Sequence, residues 1–265
     1  CFGPPRAYLA VEVLMESGIY AACSALVART QQMDILANNL ANVDTTGYKG
    51  ESQFYQALTA ANGNQPLGAL NTAVNRFGVL SGQALNLNSG ALQNTGNPLD
   101  VAIQGPGFME VKTRAGVAYT RAGNLQVGAK GVLLSAQGDA VMGSDAKGNS
   151  VPITVPSGKV SIASNGTISV DGALAGKLKL VEFAPNSAIK PLGNAYFTVP
   201  AAQVHTAAHS AVAAGSLENS NVNPIEAETD LISLQRHFDF LEKAIQIFNN
   251  DFDQAAATEL PRIGS

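Results

Sequence analysis

The residues in this chain that could do chemistry are few, and they are poorly grouped for it. His205 and His209 stand four apart, a spacing that on a helix would aim two imidazoles at one metal ion. A zinc site wants three or four protein ligands, no third lies nearby, and the segment around the pair is not clearly helical, so no metal site is assigned. His237 falls on the solvated face of a helical pattern. Asp100, Asp139, Asp145 and Asp171 could be imagined as acid–base pairs, but each lies at a strand edge or turn, where short carboxylates cap backbone N–H groups. No Ser–His–Asp or Cys–His constellation is legible. Gly105-Pro106-Gly107 is a tight turn rather than a phosphate loop: no Lys-Ser/Thr follows, and proline removes an N–H that a phosphate would need. Cys1 and Cys23 make neither a disulfide framework nor a metal motif, and Cys23 reads as a small buried hydrophobe. The reading is of a protein that is not an enzyme and carries no cofactor.

Composition narrows the class further. Over 265 residues, 46% are hydrophobic but only 14% are charged, and the balance is made up by small and polar uncharged residues. That mixture suits short strands, many turns and small-residue helices rather than a disordered charged tail. The net charge is −4 and no run of Lys or Arg stands out, which removes the basic stripe that nucleic acid requires. The two long helical patterns lack the cationic polar face of a membrane-surface helix, and no apolar run reaches the roughly 18 residues of a membrane span. The opening segment has no basic n-region or clear cleavage site, so it does not read as a signal peptide. Met15 sits just before the first helical pattern, and the expectation is that native translation starts there, with 1–14 an upstream or disordered extension. Intact mass of the native protein tests this.

Two helices bracket the chain. In the first, Ile19, Cys23, Leu26, Thr30, Met33, Ala37 and Leu40 alternate by four and three, a heptad seam broken only by Thr30. It ends before Asp44-Thr45-Thr46-Gly47, where Gly47 can supply a positive φ. The last helix opens on Asn223-Pro224-Ile225-Glu226, with a capping Asn, a proline suited to the first helical position and an acid near the positive helix end. Ala227, Leu231, Leu234, Phe238, Leu241, Ile245, Phe248, Phe252 and Ala255 then hold the four–three spacing, and Ile225, Ile232, Phe240 and Ile247 flank it. That apolar face is wider than a two-stranded coil needs, which points to more than one neighbour. An internal hairpin of the two helices within one monomer is the alternative. Asn38, Asn39 and Asn42 read either as a polar ladder contacting neighbouring subunits or as the frayed end of a helix.

Between the helices the pattern changes. From Leu99 to Phe183, short runs such as Phe108 to Lys112, Val160-Ser161-Ile162 and Thr167 to Val170 are punctuated by Gly, Asn, Asp and Pro at the spacing of an all-β sandwich or barrel, and Ser164-Asn165-Gly166 is a hairpin turn. Residues 59–96, rich in Asn, Gly, Gln and Ala, read as an extended connector.

Three segments carry a resemblance. ANNLANVDTTGYK (Ala37 to Lys49), NPLDVAIQGPGFMEV (Asn97 to Val111) continued by Tyr119 to Asn124, and GSLENSNVNPIEAETDLI (Gly215 to Ile232) resemble, in this order, the signatures of the axial proteins of the bacterial flagellum, the rod and hook family. VPITVPSGKVSIASNGTIS and GKLKLVEF are most similar to the proximal-rod members, with the distal-rod and hook members as alternatives. The resemblance implies an α+β fold in which terminal N- and C-helices pair as a coiled-coil domain around an inserted, mainly antiparallel β-domain. The expected organisation is an N-terminal helical segment over 15–58, the connector over 59–96, a β-rich domain over 97–214 and a C-terminal helical segment over 215–265. It implies a structural subunit of the rod spanning the periplasm, self-assembling through Ile19, Cys23, Leu26, Met33, Leu40, the three asparagines, Leu231, Leu234, Phe238, Leu241, Ile245, Phe248 and Phe252, and passing torque from motor to hook. Its implied partners are copies of itself, other proximal and distal rod proteins and the flagellar type III export apparatus, which would export it without signal cleavage. No nucleic acid and no direct membrane insertion is expected. A secreted β-rich binding module that oligomerises through its helices is the alternative from another class.

Overall fold

The computed structural model describes residues 26–56, 79–145, 148–185 and 187–259. The expected extension over 1–14 and the seam residues Ile19 and Cys23 lie outside these, as do the side chains of Phe248 and Phe252. The described chain is mostly β-structure, opened by one helix over 26–41 and closed by a long helix, Pro224–Glu259. It divides into two compact units: 39–50 with 85–224, and 1–38 with 51–84 and 225–265.

The first unit is the β-domain. Its central strand, Phe108–Thr113, pairs antiparallel with Gly116–Thr120, Ala140–Ser144 and Leu180–Phe183. Alternation sends Met109 and Val111 into one apolar core with Val101, Ile103, Leu133, Val141, Ile153 and Ile168. Phe108 faces a second cluster with Tyr119, Val181, Phe197 and Val199, where its ring stacks on Phe183 at 4.5 Å and meets Phe197 edge-on at 5.7 Å. Burying the aliphatic side chains of such a core stabilises by about 1.5–3 kcal/mol each. The Ser164-Asn165-Gly166 turn joins Val160–Ile162 to Thr167–Val170 as the sequence predicts: Gly166 has φ +81° and the Asn165 side chain accepts from the Thr167 N–H.

Several elements depart from their sequence reading. The 15–58 segment is not helical throughout, because Glu51–Gln56 is a strand paired with Val79–Leu85, and that second strand lies inside the expected connector. Leu92–Asn94, also in the connector, pairs antiparallel with Ser216–Glu218, which belongs to the expected C-terminal helical segment. Alternation over three residues is too short to separate a strand from a loop, so the pairing partner alone makes these strands. Ala211–Ala214 likewise becomes a strand only through its pairing with Val101–Gln104.

The second unit holds residues 26–38 of the first helix and 225–259 of the last. On Pro224–Glu259, Ala227 and Leu234 are buried, and Leu231, Phe238, Leu241 and Ile245 are half-buried. Ile225, Ile232, Phe240 and Ile247 do not flank this seam as expected: at about 100° per residue they fall on the opposite side of the helix, and they are 52–75% exposed. On the first helix the covered positions are Ile35 and Asn39, while Thr30 and Ala37 are exposed and Leu26, Met33 and Leu40 are half-buried. Among the described residues, the four–three line drawn through Thr30 and Ala37 is therefore only partly covered.

Candidate functional site

The residues first weighed for chemistry have structural roles. Asp100 accepts from Thr95 Oγ1 (2.6 Å) and Asn97 Nδ2 (2.9 Å) and so fixes the entry to the Val101–Gln104 strand. Asp145 accepts from the Asn149 backbone and side chain, and Asp171 from the Lys159 N–H. His205 sits on the strand Val204–Thr206 opposite Glu182, not on a helix. His209 is exposed, with Nδ1 3.6 Å from Glu182 Oε2. Hydrogen bonds from the His209 N–H and Ser210 hold the Glu182 carboxyl below its ordinary range. Among the described residues no cluster of His, Cys, Asp or Glu could hold a metal ion.

At one edge of the β-domain's apolar cores lies a buried ionic node made by three charged residues far apart in the chain, Lys49, Arg121 and Glu218. Glu218 ends the short strand Ser216–Glu218 and is fully buried. Its Oε1 accepts from Lys49 Nζ at 2.5 Å, from the Gly90 N–H at 3.0 Å and from Arg121 Nη1 at 3.3 Å. Its Oε2 accepts from Arg121 Nη1 at 3.3 Å. The Lys49 and Arg121 side chains are no more than 1% exposed. Lys49 also donates to the Asn88 carbonyl, and Arg121 to the Gly105 carbonyl and Ser89 Oγ. The guanidinium lies 4.7 Å from the centroid of the Phe108 ring. Burial depresses the Lys49 ammonium below the ordinary lysine range, against the hydrogen bond and charge of Glu218, which raise it. Burial lowers Arg121 as well, again against Glu218.

One carboxylate thus serves two buried cations. Such a network is not a strong net source of stability, because desolvating three charges offsets most of their attraction. Removing one partner is the costly change, because it leaves a buried charge uncompensated. Backbone contacts continue the same seam. The Gly47 N–H donates to the Glu218 carbonyl at 2.7 Å and the Asn86 N–H to the Gly50 carbonyl at 2.8 Å. Asn221 closes the arrangement, accepting from the Gly50 N–H and donating to the carbonyls of Asn86 and Asn88. Two glycines permit the approach. Gly47 has φ +68°, and a Cβ there would lie 2.4 Å from the Ala122 nitrogen. A Cβ on Gly90 would lie 2.0 Å from the Asn219 carbonyl oxygen.

The three sequence segments singled out for their resemblance therefore meet at one place: TTGYK supplies Lys49, YTRAGN supplies Arg121 and GSLENS supplies Glu218. Of the predicted assembly residues, Asn39 lies beside this junction, buried, with its Oδ1 accepting from Tyr48 Oη at 3.1 Å. Asn42 accepts from Thr45 Oγ1, and Asn38 is exposed. The triad itself escaped sequence reasoning. The available signal was slight: the short pieces TTGYK, YTRAGN and GSLENS each carry a single charge in a chain with only 14% charged residues.

Lys49, Arg121 and Glu218 each fall in a stretch that matches a family model. Residues 19–49 match the model of the flagella basal body rod protein, 102–170 that of the flagellar hook protein FlgE/F/G D1 domain, and 213–258 that of the flagellar basal body rod FlgEFG protein C-terminal region. The chain is 34% identical to the flagellar basal-body rod protein FlgF of Salmonella typhimurium, over 87% of this chain and 93% of that one. It is 31% identical to FlgF of Escherichia coli, over 91% and 97%, and 30% identical to the rod protein FlgG of Bacillus subtilis, over 87% and 94%.

Proposed function

The chain belongs to the flagellar basal-body rod protein family, and from that premise we propose that it is a structural axial subunit of the rod, polymerising through its terminal helices and passing torque from motor to hook. Its helices pair in the assembled rod as a coiled coil, and its neighbours are copies of itself and other proximal and distal rod proteins. It reaches the periplasm through the flagellar type III export apparatus, without a cleaved signal. Similarity to FlgF proteins favours the proximal rod, and similarity to FlgG keeps the distal rod as the second reading. The role is mechanical, in line with relatives named as rod proteins.

The observation that carries this reading is the C-terminal helix. One face holds a half-covered heptad seam, and the opposite face leaves Ile225, Ile232, Phe240 and Ile247 52–75% exposed. A lone subunit has no use for two apolar faces on one helix, whereas a subunit packed among several others does. Deletion of the gene is the test. Loss of swimming with rods arrested before hook growth is expected. Normal flagella in the deletion strain would leave the secreted binding module as the better reading.

A further inference from the structure

Beyond the assembly role, the node has a property that neither helix carries. We propose that Glu218 is a charge-gated latch: its arrival over Lys49 and Arg121 orders the segment 42–50 that follows the N-terminal helix and the segment 219–223 that precedes the C-terminal helix as one cooperative unit, separate from the rest of the β-domain.

The argument starts from placement. Lys49 and Arg121 are both buried, and among the described residues the sole carboxylate hydrogen-bonded to either is Glu218, 169 residues from the first and 97 from the second. Their other described acceptors are the carbonyls of Asn88 and Gly105 and the Ser89 hydroxyl, none of which carries charge. Arg121 Nε is buried without an acceptor among the described residues, so the guanidinium is already short of hydrogen bonds. With Glu218 absent, two cations would face one another in a dry site, and the loops carrying them must open to hydrate them. The loops can open locally. Segment 42–50 is held by Gly47 and Gly50 to Glu218 and Asn221, and the 86–90 loop by Gly90 to Glu218 and by Asn86 to Gly50. The core ladder of Leu133, Val141 and Ile153 shares none of these bonds.

Charge counting separates this mechanism from simple loss of hydrogen bonds. The native node holds two cations and one anion. Glu218→Gln keeps the shape but leaves two cations unmatched. Lys49→Met leaves Arg121 and Glu218 as a balanced pair. Combining the two leaves one unmatched cation, the same excess as in the native node. A second buried change should therefore partly repair the first.

Hydrogen exchange on the full-length chain and these three variants tests the latch. In Glu218→Gln, exchange at Gly47, Gly50 and Asn86 should accelerate on the order of a hundredfold and show little urea dependence, the mark of local opening, while Leu133 and Ile153 remain slower and keep the steep urea dependence of global unfolding. Lys49→Met alone should be milder, and adding it to Glu218→Gln should recover roughly tenfold of the lost protection. Three results would each overturn the proposal: unchanged exchange at those amides in Glu218→Gln, exchange there with the same rate and urea dependence as at Leu133 and Ile153, or a double variant no better protected than Glu218→Gln. A wholly unfolded Glu218→Gln counts as the second of these.

Discussion

Gly47→Ala should destabilise the β-domain far more than Gly96→Ala, although the two glycines share nearly the same backbone conformation. Gly47 has φ +68° and Gly96 has φ +71°, so an L-residue pays the left-handed penalty at both, about 1–2 kcal/mol. They differ in surroundings. A Cβ on Gly96 meets nothing within 4 Å, whereas one on Gly47 would stand 2.4 Å from both the Ala122 nitrogen and the Arg121 carbonyl carbon. These obstacles are backbone, so no rotamer change relieves them, and overpacking adds about 1–3 kcal/mol. The expected losses are therefore about 1–2 kcal/mol for Gly96→Ala and about 2–5 kcal/mol for Gly47→Ala. Urea unfolding followed by tyrosine near-UV dichroism reads this, since the chain has six Tyr and no Trp. Equal losses in the two variants would refute the seating of the 42–50 loop against the Arg121–Ala122 backbone, and with it the geometry of the node.

Three further outcomes follow from the same structure. Phe240 is 70% exposed, so Phe240→Asp should change melting by no more than about 0.5 kcal/mol yet stop swimming, because burying that ring among neighbours is worth roughly 2 kcal/mol per subunit; normal swimming would show that this face stays open in the rod. Phe238→Asp, at a half-buried seam position, should lower both melting temperature and swimming, while the exposed neighbour His237→Asp should be mild in both assays; the reverse order would show that the seam is misdrawn. Alkaline pH should act in two stages. Lys49 has a folded pKa below its unfolded value of 10.5, so the unfolded chain binds more protons and this residue's contribution to stability rises with pH until about 10.5. Tyr196, buried and bonded to Ser135, is pushed up to about 12 from 10.0, so above 10 the unfolded state loses the proton first and stability falls. Lys49→Met should flatten the rise and Tyr196→Phe should remove part of the fall, both measured by urea midpoints across the range; unaltered pH profiles would contradict the assignments.

Local physics made much of this chain legible without coordinates. The long four–three repeat from Ala227 onward specifies a helix and one apolar face, because helical period and apolar spacing coincide over many turns. On that line Leu234 is buried and off it His237 is exposed, but Ile225, Ile232, Phe240 and Ile247, read as flanking the seam, fall on the far side of the helix. Gly47 and the Ser164-Asn165-Gly166 turn were equally readable, since a positive φ is a property of one residue and its neighbours. The first helix was less so: its apolar residues permit more than one line, and tertiary packing chose Ile35 and Asn39 over Thr30 and Ala37. Short strands such as Leu92–Asn94 and Ser216–Glu218 exist only as partners of one another, more than a hundred residues apart, and no local pattern encodes a partner. The node is the extreme case. Lys49, Arg121 and Glu218 look like ordinary solvated charges in sequence, and burial of all three is decided only when the chain brings them within hydrogen-bonding distance, where each is acceptable because the others are present.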